Sequence, residues 1–144
     1  MAIILTDPNT AGPFTTFQVK DVTVKVVKLD FSKFATTNVD TLMTYLPADA
    51  TILRMETWVR TVLSGNSVAS PTVAVGTTSG GADLAAAFSV TNTAGTQQTI
   101  SPAVGIMQQY QVPLGQDIRI YVRGGCSTGN PTAGEIDLVI YYVR

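Results

Sequence analysis

Residues 117–123 read DIRIYVR, and this segment decides the fold class. Its aliphatic residues stand at every second position, with arginine or tyrosine between them. Side chains of a β-strand alternate between the two faces of the sheet, so this period predicts a strand with one buried face. A loop-forming stretch from Gly124 to Gly134, rich in Gly, Ser, Thr, Asn and Pro, follows it. The segment therefore indicates a protein built from β-sheets.

Similar stretches recur along the chain. In 22–31, Val22, Val24 and Val26 alternate with Thr23 and Lys25, which predicts that the valines form a buried face, and Leu29 and Phe31 continue the run. Segment 51–63 is the clearest long strand. Its two predicted faces carry Leu53, Met55, Val59 and Leu63 on one side, and Arg54, Glu56, Trp58 and Arg60 on the other. Further strands are predicted at 72–76, 84–90, 106–112 and 135–143.

Short strands separated by frequent turn signals predict an all-β fold, a single-domain antiparallel β-sandwich of jelly-roll-like type. A short helical turn is predicted between Val39 and Tyr45, and the last strand, apolar on both faces, is predicted to be buried on both sides. Residues 22–144 would form the sandwich and residues 1–21 an extended N-terminal arm. For that arm two interpretations stay open, a contact with another subunit and a partly ordered terminus.

Composition argues against several functional classes. The net charge is −1 and the basic residues are not clustered, so we expect no nucleic-acid partner. Cys126 is the single cysteine, which excludes an intramolecular disulfide and favours synthesis in a reducing cytoplasm. The apolar run Ala2–Leu5 is too short for a membrane span or a signal-peptide core. Between Arg60 and Asp117 the single charged residue is Asp83, as expected for repeated packing against neighbouring subunits or for a run of polar turns.

Catalytic chemistry finds little support in the sequence. The chain has no histidine, so the commonest general base and the Ser-His and Cys-His pairs are missing. Nothing in the sequence supplies a base for Cys126, and a small, partly buried loop residue is the better interpretation. The carboxylates show no spacing typical of a glycosidase or a calcium site, although Asp117 and Asp137 could meet across strands. We therefore expect no enzymatic activity, no metal and no cofactor.

Candidate contact residues come from two kinds of segment. Trp58 and Arg60 share one strand face and Tyr121 lies between two arginines, a composition that suits subunit contacts, sugar stacking or simple coverage of a sheet. The N-terminal arm contributes large apolar residues that gain free energy if a partner buries them, namely Ile3, Ile4, Leu5, Phe14 and Phe17.

Two further stretches carry a resemblance. Residues 46–53, LPADATIL, lead into a long strand, and residues 71–77, PTVAVGT, end a later one. From about Leu46 to the C-terminus the chain resembles small β-sandwich virion proteins of tailed bacteriophages, most closely the capsid decoration or cement proteins. The N-terminal part has no matching feature, and the resemblance supplies no catalytic residue.

The resemblance implies a structural virion protein on the capsid exterior. It would be made in the host cytoplasm, assemble as a homo-oligomer with a trimer favoured, and bridge neighbouring subunits of the major capsid protein through many weak contacts. It requires no cofactor, and the charge and hydropathy above add that neither nucleic acid nor a membrane is expected as a partner. The alternative is a carbohydrate- or receptor-binding module of a phage tail, neck or fibre, which would use loops such as 64–70 and 124–134.

Overall fold

The structure is a computed structural model of the chain, and it describes residues 3–6, 16–19, 21–100 and 116–144. These residues form ten β-strands and one short 3₁₀ turn, Phe31–Lys33. The strands are β1 Ile3–Thr6, β2 Thr16–Val19, β3 Thr23–Asp30, β4 Val39–Leu46, β5 Thr51–Ser64, β6 Thr72–Gly76, β7 Ala85–Ser89, β8 Gln97–Ile100, β9 Ile118–Gly125 and β10 Ala133–Val143.

Strands β3 to β10 form two antiparallel sheets of four strands, in the orders β3-β10-β5-β8 and β4-β9-β6-β7. Successive strands switch from one sheet to the other, except for the β6–β7 hairpin. This alternation between two sheets is the order of a jelly roll. The predicted all-β sandwich is confirmed, and its jelly-roll order is now defined.

One hydrophobic core lies between the two sheets. It combines residues from both sheets, among them Leu29, Ile136, Leu138 and Ile140 from the first and Val73, Val75, Ile118, Ile120 and Val122 from the second. The alternation that we used in 117–123 is confirmed, because the three aliphatic residues face this core. The prediction for the last strand is also confirmed: β10 lies between β3 and β5, and both of its faces are largely buried.

The valine face predicted for β3 is wrong. Val22, Val24 and Val26 are 53%, 50% and 49% exposed, whereas Val27 and Leu29 are in the core. Since faces alternate with every residue, the core takes the odd positions of β3 and the three even-numbered valines lie on the outer face. Phe31 lies beyond the strand in the 3₁₀ turn and is also exposed.

The face predicted for the long strand β5 is correct over most of its length and wrong at its start. Met55, Val59 and Leu63 are buried in the core, but Leu53 is exposed and Ile52 is buried instead. The pairing with β10 shifts by one residue between Arg54 and Ile52. Such a bulge exchanges the two faces of a strand, and it turns Leu53 outward.

Three other segments differ from the predictions. The helical turn at 39–45 is wrong, because Val39–Leu46 is strand β4, paired with β9 along its length. Strand β8 was not predicted. The N-terminal segment, in which no strand period was found, contains β1 and β2, which pair with each other. The predicted strand 106–112 lies outside the described residues, and the division into arm and sandwich stays a prediction.

Candidate interaction surfaces

The outer face of sheet β3-β10-β5-β8, which we call the Glu56 face, carries polar side chains from three adjacent strands. The register places Arg54 opposite Tyr141, and Trp58 opposite both Asp137 and Gln97. Even-numbered residues of β5 point outward here because Met55 and Val59 point into the core. The face is formed by Arg54, Glu56, Trp58, Arg60, Gln97, Asp137 and Tyr141.

Glu56 is the centre of a hydrogen-bonded network on this face. The side chain is buried, with 1% of the residue exposed, although it lies on the outer side of the sheet. Gln97 Nε2 and the Tyr141 hydroxyl donate to its Oε2 atom at 2.7 and 3.2 Å. Arg54 Nη2 lies 3.0 Å from Oε1. A buried carboxylate is costly unless it is paired and hydrogen-bonded, and here its neighbours meet that requirement.

The two arginines cover the aromatic rings of the face. The Arg54 guanidinium lies 4.3 Å from the centroid of the Tyr141 ring, and that of Arg60 lies 5.2 Å from the Trp58 ring. Hydrogen bonding to Tyr141, followed by the charge of Glu56, raises the pKa of Arg54. These contacts stack each cation on a ring while half of each arginine side chain stays in solvent.

Asp137 is the second buried carboxylate of the Glu56 face, with 2% of the residue exposed. Arg60 Nε donates to its Oδ2 atom at 2.6 Å. The Oδ1 atom is buried and has no hydrogen-bond partner. Asp137 belongs to β10, in a different sheet from β9, so the pairing of Asp117 with Asp137 that the sequence allowed is not formed across adjacent strands.

The outer face of sheet β4-β9-β6-β7, which we call the Arg123 face, is more open. Arg123 donates from Nε and Nη2 to the two carboxylate oxygens of Asp40, at 2.8 and 3.2 Å. This hydrogen bonding, with the opposite charge of each partner, lowers the pKa of Asp40 and raises that of Arg123. Leu42 and Tyr121 follow the pair on the same face, Tyr45 lies further along it opposite Arg119, and Leu42 and Tyr45 are exposed.

The structure separates the candidate contact residues into two groups. Trp58 and Arg60 lie together on the Glu56 face, and Tyr121 lies on the Arg123 face, on the opposite side of the sandwich. Ile3, Ile4 and Leu5 fall in β1 and Phe17 in β2, but their side chains are outside the described residues, as is Phe14 altogether. Their role as contacts stays a prediction.

Sequence reasoning missed two partners of Glu56, Gln97 and Tyr141, and it missed that Asp137 lies on the same face. Gln97, Asp137 and Tyr141 come from β8 and β10, and Tyr141 is 85 positions from Glu56 in sequence. One signal was present, because Asp137 stands between aliphatic residues in β10, on the face opposite to Ile136 and Leu138. An acid in such a strand needs a partner on a neighbouring strand.

The loops of the alternative hypothesis do meet at one end of the sandwich. The Asn66 Nδ2 atom donates to the Asn130 carbonyl at 2.9 Å, and the Thr36 amide donates to Asn130 Oδ1 at 3.0 Å. Ala69 and Thr128 form an isolated antiparallel bridge. The loops are shorter than predicted, because residue 64 belongs to β5, residues 124–125 to β9 and residues 133–134 to β10. The contacts join what remains of segments 64–70 and 124–134 into one neutral, amide-rich and hydroxyl-rich surface.

Other candidate chemistry is sparse within the described part of the chain. Cys126 is buried, and burial raises the pKa of its thiol, opposite to what a reactive cysteine needs. Among the described residues, no three acidic or cysteine side chains form a group able to hold a metal ion. No helix within these same residues has the length and apolar character needed to cross a membrane.

Comparisons with known proteins identify a shared fold. No protein-family profile matches the chain, and no curated protein sequence matches it. Among solved structures, the chain is similar to one in a structure described as the capsid of Ralstonia phage GP4, with a TM-score of 0.55 and 18% sequence identity. The likeness covers 96% of this chain and 88% of that one. It extends over nearly all of both chains, and at this identity it shows the fold.

Proposed function

We propose that this chain is a non-enzymatic structural protein of a bacteriophage virion that binds the outer surface of the capsid and bridges subunits of the major capsid protein. The observation that carries the proposal is the likeness to a chain of the Ralstonia phage GP4 capsid structure over nearly the whole of both chains. The resemblance of segments 46–53 and 71–77 to capsid decoration proteins points the same way. Production in the host cytoplasm and a homotrimer belong to this proposal.

The two outer faces support bridging, because a bridge needs two separate contact surfaces. The Glu56 face offers Trp58 with Arg54 and Arg60, and the Arg123 face offers Tyr45 and Tyr121 with Arg119. Tryptophan, tyrosine and arginine are the residues that most often carry binding energy in protein interfaces. Their positions on opposite sides of one thin sandwich suit contact with two neighbours at once.

Cosedimentation with phage particles that lack this chain tests the proposal. We expect wild-type protein to saturate the particles at a fixed, symmetric stoichiometry. The Tyr45→Ala/Arg119→Ala variant should bind at least tenfold more weakly, since both side chains are exposed and lie opposite each other in the β4–β9 pair. Phe31→Ala, an exposed aromatic residue outside both faces, is the matched control and should bind as wild type.

Failure of the wild-type protein to bind particles at any concentration would contradict the proposal. Retention on host cells without particle binding would favour the receptor-binding alternative, and the joined loops 64–70 and 124–134 would then be the surface to mutate.

The N-terminal segment gives a second test of the same proposal. Strands β1 and β2 pair with each other and not with either sheet of the sandwich. Deleting residues 1–20 should therefore abolish particle binding while the protein keeps a cooperative urea unfolding transition. Retained binding would show that the N-terminal apolar residues are not part of the interface.

A further inference from the structure

The four edge strands of the sandwich are unequal. β8 has four residues and β7 has five, and β4 pairs with β9 through a register shift between Leu42 and Thr44. β3 has eight residues and pairs with β10 with no shift. Short strands and bulges are the usual ways in which a protein prevents an edge from pairing with another chain. β3 has neither, and within the described residues no strand pairs with its other edge.

The side chains of this edge favour a partner rather than solvent. Val22 and Val24 are each about half exposed on the outer face. Lysine on an edge normally opposes pairing, and β3 carries Lys25 and Lys28. The protection by Lys25 fails against a partner strand that places an acidic residue opposite it. Lys28 is ion-paired with Glu135 of β10 and lies outside the segment 21–25.

Residues 21–25, Asp-Val-Thr-Val-Lys, are their own antiparallel complement. When two copies run antiparallel with Thr23 opposite Thr23, Asp21 lies opposite Lys25 at both ends and Val22 opposite Val24 between them. Opposite charges, β-branched pairs and paired threonines are each favourable across strands. Asp21 already has an interaction within its own chain, and a carboxylate accepts more than one donor.

We propose that residues 21–25, which end in the first three residues of β3, pair antiparallel with the same residues of a second copy of this chain across a two-fold axis at Thr23. The contact is isologous, since the same segment serves both copies, and it extends the sheet β3-β10-β5-β8 of one copy into that of the other. The contact uses neither the Tyr45 side of the molecule nor a capsid. It forms in the isolated protein, so it can be tested separately from the proposed capsid role. A three-fold contact through another surface is compatible with it.

Disulfide crosslinking tests the position of the axis. Directly opposite residues of antiparallel strands have Cα atoms about 4.5–5.5 Å apart, within the range of a disulfide. Thr23→Cys should therefore form a covalent dimer on mild oxidation. In the same arrangement the two copies of position 26 are six residues apart along the ladder, about 20 Å. Val26→Cys, on the same strand, is the matched control and should give at least tenfold less dimer.

Background from the native cysteine should be low because Cys126 is buried. Equal crosslinking of Thr23→Cys and Val26→Cys would overturn the proposal, because random collision would explain both. Stronger crosslinking of Val24→Cys than of Thr23→Cys would overturn it too, since the charge pairs would not form around that axis.

Charge reversal tests the complementarity. Asp21→Lys places like charges at both ends of the ladder and should halve the mass measured by sedimentation, while Asp21→Lys/Lys25→Asp restores the pairs and the wild-type mass. Equal masses for wild type and Asp21→Lys over a concentration series would overturn the proposal. The urea midpoint of each variant checks folding, and the crosslinking test involves no change of charge.

Discussion

The two outer faces of the sandwich use the same residue types and place them differently. Each has an arginine–carboxylate pair near a tyrosine. On the Glu56 face the carboxylates of Glu56 and Asp137 are almost completely buried beneath arginine, aromatic and amide side chains. On the Arg123 face Asp40 and Arg123 are both solvent-accessible. We therefore expect burial, more than the identity of the pair, to set how much stability is lost when one partner is removed.

The largest difference between the faces should appear on removing one carboxylate from each. We expect Glu56→Ala to lower the free energy of unfolding by about 1.5–3 kcal/mol, the usual range for hydrogen bonds to a charged group, because several donors lose their acceptor. Asp40→Ala should cost less than about 1 kcal/mol, as exposed pairs do. Urea unfolding of both variants measures this. Equal losses would show that burial of Glu56 does not matter to stability.

The strands of the two faces show how far residue alternation in the sequence could predict the structure. Alternation along 117–123 correctly assigned the two faces of β9, since that strand is regular and central. The same rule placed Val24 and Leu53 in the core, and both are exposed. In β3 the position of the core selects the odd residues, and in β5 a one-residue bulge reverses the faces, so local alternation predicts a strand more securely than its orientation.

The hydrogen-bonded network around Glu56 could not be predicted from the sequence. The spacing of Arg54, Glu56, Trp58 and Arg60 correctly predicted one shared face. Burial of Glu56 depends on Gln97 and Tyr141, which only the pairing of β5 with β8 and β10 brings beside it. Strand order is a tertiary property with no local sequence signal, and so the same four residues also allowed an open binding face.

Lowering the pH should produce a smaller change in stability, through the Asp40–Arg123 pair of the Arg123 face. Hydrogen bonding to Arg123 lowers the pKa of Asp40 in the folded protein, so the pair stabilises the fold above the ordinary aspartate pKa of about 3.9 and this contribution is lost as the pH falls through the folded-state value. The stability difference between wild type and Asp40→Asn should be constant from pH 7 to about pH 5, begin to shrink near the ordinary aspartate pKa of about 3.9, and disappear only below the lowered folded-state pKa. Urea unfolding across this range measures it, and a difference that persists at the lowest pH would mean that the lost contact is not ionic.

Salt should give the smallest effect and the cleanest distinction between the faces. Mobile ions screen exposed charges over about 8 Å at physiological ionic strength and over about 3 Å at 1 M, whereas buried charges are screened much less. The stability lost in Asp40→Ala should therefore shrink as sodium chloride rises from 0.05 to about 1 M, while the loss in Glu56→Ala stays constant. Comparing each variant with wild type at the same salt concentration cancels the general effect of salt on unfolding. If the Glu56→Ala loss fell in parallel, solvent ions would reach the Glu56 carboxylate, and burial would not distinguish the electrostatics of the two faces.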